Sequence, residues 1–228
     1  MQQERTTDST RRYRGQAPEE RVAERRARLL AAGLELFGTR GVAGTTVRAV
    51  VEDSGLAARY FYESFAGIEA LERAVFDEIA SEAATRALGA LAAAGAEASR
   101  RERIRAVLAE MVDLMLEDPR KGRIALIESV SSPALGPRVL AESRRFAGLL
   151  AVTAAHGDPA VADPDALAET IGARVRMVAR FLIGGVAHTL GAVLQGDIAV
   201  EREEVVDALV DVFDVVDAQL IAGTGARP

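Results

Sequence analysis

The chain has 228 residues, 49% of them hydrophobic, enough to bury one good-sized core or a small domain beside a larger one. A formal net charge of −6 excludes a protein that coats nucleic acid through charge alone, so any contact with DNA must be local. There is no cysteine, which excludes a disulfide, a thiol nucleophile and a thiolate metal site.

Charge is unevenly spread. Residues 1–30 hold eight arginines against five carboxylates, whereas residues 81–228 hold sixteen basic and twenty-one acidic side chains. Residues 1–18 are polar, with almost nothing to bury, and read as a disordered arm. No apolar run follows the arginines of that arm, so it is not a secretory signal. No stretch of about 18 uninterrupted apolar residues occurs, so no membrane span is expected. A soluble, cytoplasmic protein is the expectation.

From Pro18 the pattern becomes helical: Val22, Leu29, Leu30, Gly33, Leu34 and Phe37 share one face beneath an Arg/Glu-rich outer surface, and glycines over 38–41 end the run. Thr45-Thr46 opens a second, short helix with Val47, Val50 and Val51 inward, because a threonine hydroxyl accepts the free amides of a first turn. It ends at Asp53-Ser54-Gly55. Leu56 leads into a brief helix over 57–63, and from Ile68 a long helix carries Leu71, Val75, Phe76 and Ile79 on one face. The remainder predicts helices over 98–117, 120–130, 134–155, 164–195 and 200–222, separated at Gly95, Asp118-Pro119, 131–133 and 156–164. No period-two strand and no fixed repeat appears, so the class is all-α, with the arm followed by a domain over 19–66 and a larger one over 67–228.

The segment from Gly41 to Leu71 carries the function. A helix, a tight glycine turn and a short helix that is apolar inside and polar and aromatic outside make a helix-turn-helix, whose second helix enters the DNA major groove. Gly55 is the turn residue, since a left-handed backbone costs little there.

Phe37, Gly41, Thr45-Thr46-Val47, Gly55-Leu56, Tyr60-Phe61-Tyr62, Phe65 and Glu69-Ala70-Leu71, at this spacing and ahead of an all-helical remainder, resemble the tetracycline-repressor (TetR) family of bacterial regulators. The resemblance covers roughly residues 20–75. It implies that Thr45 and Thr46 bind backbone phosphate, and that Arg48 points toward the DNA from helix 2. It places Ala57, Ala58, Arg59 and Tyr60 in the groove, with Arg59 pairing bidentately to guanine, and Tyr62 on phosphate. Phe61 and Phe65 face the core. Where the family has a phosphate-gripping lysine this chain has Ile68, and Glu63 adds an acid to the recognition helix. The arginines between Arg5 and Arg14 offer a compensating contact.

In the C-terminal half, Ile104, Leu108, Val112, Ile124, Ile127, Leu140, Leu149 and Leu150 are core stripes. The resemblance further implies an apolar effector cavity among the central helices, and Met111, Met115, Phe146, Met177 and Phe181 are its candidate lining, as adaptable side chains suited to a hydrophobic ligand. It also implies a dimer built from the last two long helices, for which Val178, Leu182, Gly185, Val186, Leu209, Phe213 and Val216 are candidates. His188, in an apolar stretch, reads as a satisfied, hydrogen-bonded histidine in a helix interface and His156 as an exposed loop residue. Neither has a carboxylate at ligand spacing, so no metal is expected; no catalytic residue and no cofactor is expected either.

The function implied is a ligand-responsive regulator: a homodimer on double-stranded operator DNA, released by a small-molecule effector, with no membrane partner. Two rivals stay open. A helical enzyme lacks any assembled nucleophile and base, and steady turnover would revive it. A module of the same fold that has lost DNA binding is separated by a mobility-shift assay.

Overall fold

The computed structural model describes residues 18–154 and 173–224, among which there is no strand. The expected arm below Pro18 and the expected helix start over 164–172 lie outside the described residues. Helix α1 is Pro18–Arg40, opening with a proline at its first turn and Glu19 and Glu20 beside its positive end. Helix α2 is Val47–Ser54 and α3 is Ala58–Ser64. The long α4, Ile68–Ala94, stops at Gly95, and α5, Arg100–Glu117, starts from a reciprocal cap between Ser99 and Glu102.

Helices α1, α2 and α3 close over the first half of α4 in one core. Leu29, Phe37, Val50, Phe61 and Leu71 are fully buried there, joined by Val75 and Ile79. Further along, α4 turns Ala83 to a second core, so one rigid helix serves both.

Residues 119–131, predicted as a single helix over 120–130, form α6 (Pro119–Gly122), a π turn (Arg123–Glu128) and α7 (Ser129–Ser131). The wider π turn brings residues five apart onto one side, and Arg123 and Glu128 meet there, Nε donating to Oε1 at 3.1 Å. Both then grip the end of α1 and the loop after it. Arg123 Nη1 donates to the carbonyl of Thr39 at the end of α1 (3.1 Å), and the backbone N–H of Val42 donates to Glu128 Oε2 (3.0 Å). Gly41, at φ +80°, lies against that carboxylate, and a side chain there would be strained by its backbone as well as crowded. Arg120 adds an ion pair to Glu35 at 2.7 Å. Ile124 is buried in the first core while Leu126 packs on the second, so this segment is the joint between the two.

Helix α8 is Gly136–Ala154, α9 is Ala173–Gln195 and α10 is Arg202–Thr224. With α5 they build the second core around Val112, Leu114, Val206 and Val210. Arg202 ties α10 to α5 through both oxygens of Asp113, at 2.5 and 2.6 Å, which holds that carboxyl below its usual range. Arg101 on Asp211 (2.8 Å) repeats the link.

Buried Glu72 of α4 departs from this pairing. It bonds the Ser132 side chain, but its Oε1 has no hydrogen-bond partner, and burial raises its pKa. A carboxyl whose folded pKa is raised stabilises less once pH passes the unfolded value near 4.3, and the loss is complete above the folded value. Glu72→Gln therefore raises the melting temperature at pH 7, and the gain disappears in acid below the unfolded carboxyl's pKa, where the side chain is neutral in both states. Thermal melts at pH 7 and in acid check it.

Candidate nucleic-acid interface

Thr46 caps α2: its backbone is extended and its hydroxyl oxygen accepts the amide of Ala49 at 3.2 Å. The side chain remains exposed, so the hydroxyl proton can reach an approaching phosphate. Thr45 differs. It is 6% exposed, and its hydroxyl donates to the Gly41 carbonyl at 2.8 Å. The resemblance implies that both threonines bind phosphate; the fold turns Thr45 inward to brace the turn, because neighbours on either side of a cap point in different directions.

Gly55 ends α2 in the left-handed region, φ 64°, donating its amide to Glu52, and so redirects the chain into α3. Arg28 of α1 seals the junction, with Nη2 donating to the carbonyl of Ser54 at 2.5 Å. The buried faces of Phe61 and Phe65 anchor α3 from beneath, the rings 5.8 Å apart, and Arg26 covers Phe65 at 4.4 Å.

The opposite side of α3 faces solvent. Ala57, in the N-cap position, and Ala58 are exposed and small, and leave the helix start open to close approach. Arg59 is exposed, and its Nη2 donates to the Tyr60 hydroxyl at 2.6 Å with the guanidinium 4.6 Å from that ring. Arg25 of α1 stacks on the same ring at 4.5 Å. This arginine is absent from the sequence reading, since only the crossing of α1 over α3 reveals it. Tyr62 is 62% exposed and stands edge-on to Phe61 at 5.4 Å. Arg48 is exposed in a surface pair with Glu52 (2.8 Å), a contact cheap to release for a phosphate or base. Ile68, at the position of the missing lysine, packs half-buried against the first core.

Residues 29–75 match the family model described as bacterial regulatory proteins, tetR family. Over those residues the chain is similar to the tetR family. No curated protein matches it in sequence. Solved structures match its fold over most of their length. A tetR-family transcriptional regulator from Streptomyces coelicolor superposes at TM-score 0.67 and 20% identity, over 90% of this chain and 86% of that one. A TetR-like regulator from Rhodococcus sp. RHA1 gives 0.60 and 20%, over 88% and 97%. FadR from Bacillus subtilis, solved with stearoyl-CoA, gives 0.66 and 14%, over 82% and 96%.

The second core holds a cavity of about 60 Å³. Its walls are apolar: Ile104, Leu108 and Met111 of α5, Phe146 of α8, Val186 of α9 and Phe213 of α10. Of the five candidate lining residues, Met111 and Phe146 border this space. Met115 is buried in the core one turn beyond Met111 and does not line this space. Met177 and Phe181 are 66% and 74% exposed, on the outside of α9, not in the cavity.

The residues expected to form the dimer face undergo the converse correction. Leu182, Leu209 and Phe213 are at most 7% exposed, buried in this chain's own core, and Val178, Val186 and Val216 pack against it; Val186 and Phe213 also line the cavity. Only Gly185 of the set is exposed. The open apolar stripe consists instead of Met177, Phe181, Gly184 and Gly185 on α9, with Val212 and Val215, 50% and 65% exposed, on α10. His188 is exposed along the same side. Contrary to expectation, α9 is long and apolar enough, at mean hydropathy 1.6, to cross a membrane by length and composition, although only 28% of that window is buried. Among the described residues no cluster of potential metal ligands occurs.

Proposed function

We propose that the chain is a ligand-responsive transcriptional repressor that binds a near-palindromic operator as a homodimer in the cytoplasm and is released by a small, mostly apolar effector. One observation carries it: α3 is pinned to the core by Phe61 and Phe65 while Arg59 and Tyr62 look outward from it, with half-buried Tyr60 held against Arg25 and Arg59. A helix held rigidly on one side and lined with donors on the other is what major-groove reading requires. Thr46, Arg48, Ala57 and Ala58 surround it as backbone and close-approach contacts.

The exposed stripe of α9 and α10 supplies the dimer face, and two such chains would set their recognition helices in successive major grooves, about 34–36 Å apart. The apolar cavity takes the effector; FadR, a structural neighbour, is solved with the long-chain ligand stearoyl-CoA. Effector binding acts through the joint, where α4 and the π turn hold both cores, and works only to the extent that the ligand favours one arrangement of that joint.

Mobility shift with the DNA flanking the chain's own gene tests the reading. Arg59→Ala lowers affinity for the retarded fragment by about 10- to 100-fold, the discrimination of one bidentate guanine contact, with an unchanged melting temperature. Equal affinity of the two proteins removes Arg59 as the reader. The lack of any sequence-selective complex would leave a ligand-binding module that does not engage DNA.

A further inference from the structure

We propose that the effector carries a carboxylate and that Arg103 reads it. The inference rests on the reading of the apolar cavity as the effector site. Ile104, Val107, Leu108 and Met111 of α5 line that cavity, and Arg103 lies one helical turn before Val107 on the same stripe. The Arg103 side chain leans toward the start of α5, where Nη1 donates to the carbonyl of Ala98 at 3.1 Å. Its Nε and Nη2 are buried and have no hydrogen-bond acceptor among the described residues.

Those two N–H groups form one edge of the guanidinium, a parallel fork that matches the two oxygens of a carboxylate. The chain shows the same edge in use twice. Arg120 sets Nε and Nη2 on the two oxygens of Asp118, both at 2.8 Å, and Arg202 sets them on Asp113 at 2.5 and 2.6 Å. Glu142, one turn before cavity-lining Phe146 on α8, makes no ion pair with Arg103 among the described residues; its Oε2 is 3.6 Å from Arg145 and is itself buried without a hydrogen-bond partner. A buried cationic fork without an acceptor is costly to maintain, whereas a ligand acid entering beside an apolar wall satisfies it. The effector is therefore an apolar body ending in a carboxylate, the body among Val107, Met111 and Phe146 and the head at the α5 start.

Isothermal titration of the full chain with decanoate, 1-decanol and decylamine tests this. Decanoate binds about tenfold tighter, or better, than the alcohol or the amine, as a charge-assisted bidentate contact requires. Arg103→Gln binds decanoate and decanol alike, with decanol affinity unchanged, which also verifies that its cavity is folded. Arg103→Lys, which keeps the charge but loses the fork, falls between. If the unmodified chain binds decanol as tightly as decanoate, the carboxylate inference fails while the cavity reading stands. If Arg103→Gln keeps the preference, another group reads the acid and the inference fails. If none of the three probes binds, the cavity reading itself falls and takes the inference with it.

Discussion

Phe181→Glu splits the proposed homodimer into monomers and weakens operator binding by about a hundredfold or more. Phe181 is 74% exposed, and Met177 on the same helix and Val212 and Val215 on α10 are each at least half exposed, so both helices leave apolar side chains open. Gly184 and Gly185 carry no side chain and have no neighbour within 4 Å of where one would begin, so a second helix can approach closely there. In a two-fold interface each substitution appears twice, and two carboxylates buried without partners oppose association. Each monomer keeps one recognition helix, and the gain from engaging both half-sites together, about 10²- to 10⁴-fold, is lost. Sedimentation or light scattering reads the mass, and mobility shift the affinity. Because Phe181 contributes nothing to either core, the secondary structure is unaffected; Leu182→Ala, by contrast, costs ~2–5 kcal/mol of folding stability. A Phe181→Glu protein that remains a dimer would move the interface elsewhere on the chain.

The contrast between Phe181 and Leu182 shows where sequence reading stops. Element type and order follow from periodicity and from a few residues with one physical role: Gly55 in the left-handed turn, Thr46 as cap, Ser99 and Glu102 as a reciprocal cap. Those signals are local, so they are legible. The rotational phase of α9 is not, because that helix is apolar on almost every side. Met177 and Phe181 differ little in chemistry from Val178 and Leu182, yet one residue is about 100° of rotation, enough to exchange the outer stripe for the core. The π turn leaves no compositional trace either: Arg123–Glu128 has the pattern of an ordinary helix, and only the meeting of Arg123 with Glu128 and their hold on Thr39 and Val42 gives the widening a purpose. Arg25 over Tyr60 and the inward hydroxyl of Thr45 likewise depend on how α1 crosses its neighbours.

Phe61→Ala abolishes operator binding through folding and not through contact, which sets it apart from Arg59→Ala. Phe61 is fully buried beneath α3, with Tyr62 edge-on and Phe65 tilted against it at 5.4 and 5.8 Å. Truncating such a ring costs ~3–5 kcal/mol, from lost apolar burial and from the cavity left behind. Helix α3 spans only Ala58–Ser64, too short to hold its own shape in water, so its order depends on this anchor. The loss is concentrated in the small N-terminal core, and the stability of a whole domain is about 5–15 kcal/mol. Hydrogen exchange should show the amides of α2 and α3 losing protection while α5 and α10 keep theirs, with dimer mass unchanged. Arg59→Ala leaves exchange untouched and weakens binding only by the value of its contact. Unaltered protection in α3 of the Phe61→Ala protein would mean that the recognition helix is held by something other than the ring under it, and the rigid presentation on which the regulator reading depends would need another source.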